Sequence, residues 1–352
     1  MIYLDVTKTG KSAHRSGLMR VTGRLRDELG TAATPVRWTE WDRVLRPDDW
    51  FLTAELFSEA ERPGVGEFLR TSPGRKAAIF PDAIPLKHPH ITWPQSVARH
   101  PSYMKLLASF DHVWGISATV RDELVGFWRW QGLERVPPVE VLTLGADFDG
   151  SPRITTSRAP RPPGTKPSLL CVGILEPRKN QTFLLDTCEY LWGEGVAFDL
   201  HVVGRVNPHF GAPIVTQIRE LRNRHPEVQH HEGVGDAELA RLYAEARATV
   251  FPTIAEGCGL PVLESLWRGV PCVCSDLPVL MENAGGGGCL AAAVNDRAAW
   301  RTALWEILTD DALWSRLATE ATTRPLPTWA ETAATLRARL LGRAFAGRAV
   351  EG

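Results

Sequence analysis

Residues 251–271 read FPTIAEGCGLPVLESLWRGVP, an apolar strand end, a loop carrying one acid and two glycines, and a helix predicted to start at Pro261. Proline suits the first helical position because its missing N–H would be unpaired there. The amides around Gly259 and Leu260, together with the helix dipole, then make an anion site. Gly257 and Gly259 remove side chains that would block close approach of a ligand. Glu256 in the loop and Glu264, predicted in the first helical turn, can face one cavity. Phosphate would repel both, so they suit hydrogen bonds from sugar hydroxyls. The same acids also fit a plain helix N-terminus, where negative charge is favourable.

Upstream, residues 172–180 read VGILEPRKN and follow a predicted strand over 168–172. They place Arg178 and Lys179 in its loop, where the pair would clamp a diphosphate against the helix N-terminus. Two anion devices at strand ends beside two glutamates describe a sugar-nucleotide site. The surrounding rhythm repeats. Strands are predicted over 168–172, 198–203, 248–251 and 271–275, with helices over 181–191 and 237–246. The first half shows strands over 2–6, 50–54, 77–80, 112–116 and 139–144, and a helix over 18–29. Short apolar strands alternating with helices predict parallel sheets covered on both faces. Between the halves, residues 151–167 (SPRITTSRAPRPPGTKP) hold five prolines and four cations and no acid. That composition predicts an extended, solvated linker, whose charge would also suit peripheral contact with a membrane. The expected plan is α/β: Rossmann-like domains over 1–150 and 168–325 facing a central cleft, and a C-terminal helix within 326–352 packing back on the first.

The 352 residues carry 40 basic and 41 acidic side chains, a net charge of −1, which excludes a broadly basic nucleic-acid surface. No apolar run approaches a spanning helix, and Asp5 falls where a secretory leader needs apolar residues. A cytoplasmic protein is expected. The six cysteines form no CxxC and read as reduced, buried thiols. Gly10-Lys11-Ser12 is the tail of a phosphate loop, but Asp5 stands where its first glycine belongs. Asp147 and Asp149 have the spacing of a divalent-cation pair, yet turn chemistry explains them better. His88, His90, His230 and His231 read as surface or packing residues. Trp38, Trp41, Trp93, Trp114, Trp128 and Trp130 can stack on sugars, with core packing expected for most.

These motifs resemble the retaining glycosyltransferases of family 4, of GT-B architecture, over most of the chain and most specifically over 168–285. Glu256 to Glu264 resembles that family's E-x7-E pattern. The resemblance implies that Glu256 contacts donor-sugar hydroxyls, Glu264 the ribose, and Arg178 and Lys179 the donor diphosphate. Many members carry an arginine at the place of Ile174, a role left to Arg178. Residues 231–246 (HEGVGDAELARLYAEA) resemble the base-holding segment, with Val234 at the base, and Gly204 matches the glycine ending the strand before it. Residues 16–20 (SGLMR) resemble the glycine loop of the first domain, making Gly17 the candidate for close diphosphate approach. Residues 80–86 (FPDAIPL) resemble a pattern reading HDxIPL. Pro81 replaces its histidine, leaving Asp82 beside Glu256 in the catalytic set. The implied reaction uses a nucleoside diphosphate sugar, a hydroxyl acceptor (glycan, lipid-linked or small-molecule), no metal and no protein nucleophile. Two readings stay open beside it: an epimerase or phosphorylase on the same scaffold, and a non-catalytic binding subunit, which Pro81 keeps in view.

Overall fold

Buried, mainly apolar strands such as WFLT and ATVF take interior positions in the two sheets. In the computed structural model, which describes residues 1–11, 17–147, 150–159, 162 and 164–342, the first half runs β1 (Ile2–Asp5), α1 (Gly17–Leu29), β2 (Ala33–Val36), β3 (Trp50–Thr53), α2 (Val65–Thr71), β4 (Arg75–Phe80), α3 (Ile84–Lys87), α4 (Pro94–Leu107), β5 (His112–Gly115), α5 (Ala118–Trp130) and β6 (Val139–Val141). The second half runs β7 (Ser168–Val172), α6 (Gln181–Gly193), β8 (Asp199–Val203), α7 (Ala212–Arg224), β9 (Val228–His231), α8 (Asp236–Glu245), β10 (Ala248–Phe251), α9 (Leu260–Trp267), β11 (Cys272–Ser275), α10 (Pro278–Ala284), β12 (Cys289–Ala292), α11 (Arg297–Thr309) and α12 (Asp311–Thr323), before a last helix, α13 (Trp329–Leu341). Ser12, Ser16, Asp149 and residues 343–352, all part of the sequence reading, lie outside the described residues.

Each half builds one six-stranded sheet, in the orders β2-β1-β3-β4-β5-β6 and β12-β11-β10-β7-β8-β9. Every strand pair is parallel. The buried sequences WFLT (β3), ATVF (β10) and CVCS (β11) are central, as sheets covered on both faces require. At the edges lie β2, with Pro35, and β9, with two histidines; an edge tolerates both. Strand order reverses between β1 and β3 in one sheet and between β7 and β10 in the other. Such switch points open the crevices where α/β sheets bind ligands.

The last helix, α13, packs on α1: Trp329, Leu336 and Leu340 join Val21 and Leu25 over β1. The Trp329 N–H donates to Asp147 Oδ1 at 2.7 Å, and Arg24 Nη2 lies 3.2 Å from Asp147 Oδ2. Asp147 therefore does more than shape a turn: it joins two helices that are distant in sequence. The linker also departs from its expected solvation. Arg153 donates to the Ala321, Thr322 and Arg324 carbonyls at the end of α12. Arg158 donates to the Ala244 and Tyr243 carbonyls at the end of α8. Cations suit helix C-termini because the last carbonyls lack partners there. The six cysteines are free thiols, with Cys289 alone among them half-buried. Among the described residues, no helix is long and apolar enough to cross a membrane.

Candidate active site

At the β7/β10 switch point two loops lock together. After β7, the backbone turns through a single 3-10 turn, Pro177–Lys179, and Asn180 adopts a left-handed conformation (φ 58°) to enter α6. After β10, Ile254 N–H donates to the Arg178 carbonyl at 3.0 Å, while Asn180 Nδ2 donates to the Pro252 carbonyl at 3.1 Å. The lock aims three donors at one atom. Glu256 Oε1 accepts from Lys179 Nζ at 2.6 Å, from Thr253 Oγ1 at 2.8 Å and from Arg178 Nη1 at 2.9 Å. Arg178 is held from its other side by Glu176, whose Oε1 accepts from Nη2 at 2.8 Å and Nε at 3.1 Å. Asn207 Nδ2 in turn donates to Glu176 Oε2 at 3.0 Å. Burial opposes the Glu256 charge, but Lys179 and Arg178 together outweigh it and hold that carboxyl below its ordinary value.

The first domain faces this cluster with the end of β4. Asp82 is half-buried, and its Oδ1 accepts from the Ile84 N–H at 2.9 Å. Burial raises its pKa to about 6, against the opposing pull of Arg178. His100 Nε2 lies 2.9 Å from the Asp82 carbonyl oxygen; burial lowers its pKa to about 4, so it donates there as neutral imidazole. Ser117, at the N-cap of α5, donates to the Gly257 carbonyl at 2.8 Å. The Glu282 carboxylate of α10 accepts from the Ala118 and Thr119 N–H groups at 2.7 and 2.9 Å. Further along the cleft, Arg20 of α1 reaches Glu264 at 2.7 Å, and the Trp93 and His209 rings meet at 3.6 Å.

The glycines act differently from the sequence expectation. A Cβ at Gly257 would lie 2.2 Å from the Pro81 carbonyl oxygen, so its bareness admits the other domain rather than a ligand. A Cβ at Gly259 would meet Leu280 at 2.3 Å, and its φ of 77° favours glycine besides. Gly204 is needed where the chain leaving β8 passes the Gly173 carbonyl, whose oxygen would lie 1.9 Å from a Cβ at that position. Gly17 at the start of α1 alone among these has open space around it. The helix α9 begins at Leu260, not Pro261, because Gly259 supplies the non-helical N-cap and proline fits the second position equally well. Glu264 therefore falls in the second turn. It is buried at 3% exposure, with Tyr243 Oη 3.4 Å from its Oε2. Val234 and Leu260 are half-buried against apolar neighbours.

Residues 166–310 match the profile of the family described as glycosyl transferases group 1. The serotype-specific mannosyltransferase WbdA of Escherichia coli is 29% identical over 270 residues, which are 72% of this chain and 32% of that protein. The O-antigen chain mannosyltransferase B of Escherichia coli is 36% identical over 151 residues, 43% of this chain and 39% of that one. The chain thus spans about a third of the length of the first curated relatives it matches. Among solved structures, sucrose-phosphate synthase from Thermosynechococcus elongatus superposes with a TM-score of 0.67 at 16% identity, covering 95% of this chain and 96% of that one. The trehalose 6-phosphate synthase of Burkholderia multivorans gives 0.66 at 14% identity over 94% and 76%. The fold is GT-B.

The residues singled out from sequence split into two groups. Arg178, Lys179 and Glu256 meet directly, with Asp82 facing them across the cleft; Glu264 is drawn instead to Arg20. Sequence reasoning missed Glu176, Thr253, Asn207, Arg20 and Glu282. Glu176 lies inside the quoted VGILEPRKN stretch, so its acid beside a cation was a usable signal. Thr253 and Arg20 also lie inside quoted stretches, FPTIAEG and SGLMR, but nothing local says that they face Glu256 and Glu264; Asn207 and Glu282 come from other segments and carry no signal.

Proposed function

We propose that the chain transfers a sugar from a nucleoside diphosphate donor to a hydroxyl acceptor, with retention of anomeric configuration and without a metal ion. The observation that carries this reading is the convergence of Arg178, Lys179 and Thr253 on Glu256 at the switch point of the second sheet, opposite Asp82. The names of the relatives support mannose as the sugar, and hence GDP-mannose as the donor to try first. In this reading residues 168–325 hold the donor, residues 1–150 present the acceptor, and the protein works in the cytoplasm. The bond from the anomeric carbon to the diphosphate oxygen breaks as the bond to the acceptor oxygen forms on the same face. The acceptor's proton passes to the departing diphosphate, so no protein nucleophile is needed. Arg178, Lys179 and the first amides of α9 stabilise the growing negative charge. Glu256 and Glu264 accept hydrogen bonds from donor hydroxyls.

The test is transfer by the purified chain across a panel of nucleotide sugars and glycan acceptors, with the product anomer read by NMR. Glu256→Ala and Arg178→Ala are expected to lose transfer by about 100-fold or more while still unfolding cooperatively. Near wild-type transfer by either variant would remove these residues from the site. An isomerised nucleotide sugar formed from donor alone would favour an epimerase, and a rate abolished by EDTA would overturn the metal-free step.

A further inference from the structure

We infer that Glu256 holds the place of the donor diphosphate until the donor binds, and that donor binding is an anion exchange. Diphosphate oxygens displace the Glu256 carboxylate from Lys179 and Arg178, and the released carboxylate turns to the sugar hydroxyls. This rests on the reading of the cleft as a donor site and adds the order of events within it.

Three observations carry the inference. The first is charge. Arg178 and Lys179 are balanced by Glu176 and Glu256, with Asp82 also in electrostatic reach. A diphosphate added to that set meets no net positive charge. One that replaces Glu256 meets two cations of which only Arg178 keeps a directly bonded carboxylate, Glu176, itself held in place by Asn207.

The second observation is geometry. All three donors converge on Oε1 of Glu256, so one side-chain rotation releases them together and frees the carboxylate for other hydrogen bonds. The Lys179 side chain is 10% exposed, and its ammonium sits 4.7 Å from the Phe251 ring centre. An ammonium so buried needs an anion at all times, because unpaired it is costly. Glu256 can leave only when another anion arrives. The third observation is that the pattern repeats: Glu264, the other glutamate of the pair, is also seated on a cation, Arg20, brought by the first domain.

Calorimetric titration with inorganic pyrophosphate, GDP and GDP-mannose, on wild type and Glu256→Gln, tests the exchange. Glu256→Gln removes the competing charge and keeps the shape. It is expected to bind pyrophosphate and GDP about tenfold more tightly than wild type, which corresponds to about 1.4 kcal/mol, while GDP-mannose gains less because its sugar contact is weakened. A carboxylate with a purely structural role predicts the opposite sign, since its loss would loosen Arg178 and Lys179. Equal or weaker pyrophosphate and GDP binding by the variant overturns the exchange while leaving the donor site in place. Binding of no diphosphate by either protein overturns the donor site and the exchange together. If Glu256→Gln does not unfold cooperatively, Glu256→Asp, whose shorter chain withdraws the carboxylate from Lys179, carries the same expected sign.

Discussion

Asp82 sits between the two domains with charges of both signs around it, and burial decides its state. Its folded pKa of about 6 lies above the ordinary carboxylate value. The folded protein therefore binds more protons than the unfolded chain between about pH 4 and pH 6, and this group's contribution to stability falls as pH rises through that window. The same proton bears on ligand binding. Above about pH 6, ionised Asp82 repels a diphosphate held by Arg178; below it, the repulsion is gone. Wild-type pyrophosphate affinity, relative to Asp82→Asn, is expected to fall between pH 5 and pH 7.5. Taking the ratio of the two proteins removes the titration of pyrophosphate itself. Parallel affinity curves for the two proteins would place Asp82 outside the donor's field. Asp82 was legible in the sequence because FPDAIPL resembles a known pattern. Its raised pKa was not legible, because it depends first on burial in the folded cleft, which no local sequence pattern records.

At the scale of elements, the first sheet's switch point is filled by protein charge. Arg62 Nη1 lies 2.7 Å from Asp5 Oδ2 at the end of β1, and Arg62 Nη2 lies 2.6 Å from Glu55 Oε2 just after β3. All three are buried. Glu55 also accepts from the Lys8 and Thr9 N–H groups at 2.8 Å, which ties down the chain just after β1. Arg62→Met keeps the bulk but leaves two buried carboxylates facing each other, and breaking such a pair from one side costs about 3–5 kcal/mol. Urea denaturation is expected to show a loss of that order, and a loss under about 1 kcal/mol would mean the carboxylates find other partners. Asp5 was read from sequence as the residue that spoils a phosphate loop and a secretory leader; its partner comes from a turn after another strand, and no periodicity links the two. The same distinction runs through the fold. Apolar runs such as LLCV and ATVF announce their strands because burial on both faces selects them. Edge strands such as VQHH do not, because half their surface meets solvent or helix ends and tolerates polar residues.

Across the whole molecule, the cleft is closed by contacts that cluster around the proposed donor site: Ser117 on the Gly257 carbonyl, Glu282 on the α5 N-terminus, Arg20 on Glu264 and Trp93 on His209. Gly257 is the tightest of these approaches, since one methyl there would collide with the Pro81 carbonyl. That carbonyl is backbone and not the end of a flexible side chain, so Gly257→Ala has to shift one domain against the other. Arg178 and Lys179, the cations proposed to hold the donor, belong to the second domain alone and move with it. Diphosphate affinity should therefore change by less than about threefold, while sugar transfer, which needs Asp82 and the acceptor side brought close, should fall by more than about tenfold. A wider cleft also admits water, so the fraction of donor hydrolysed rather than transferred should rise. Small-angle scattering checks the shift as an increase in the radius of gyration over wild type. Wild-type transfer together with a larger radius of gyration would show that closure at Gly257 is not required for the reaction. Weakened diphosphate binding with unchanged dimensions would instead show that the methyl acts locally on the Glu256 loop.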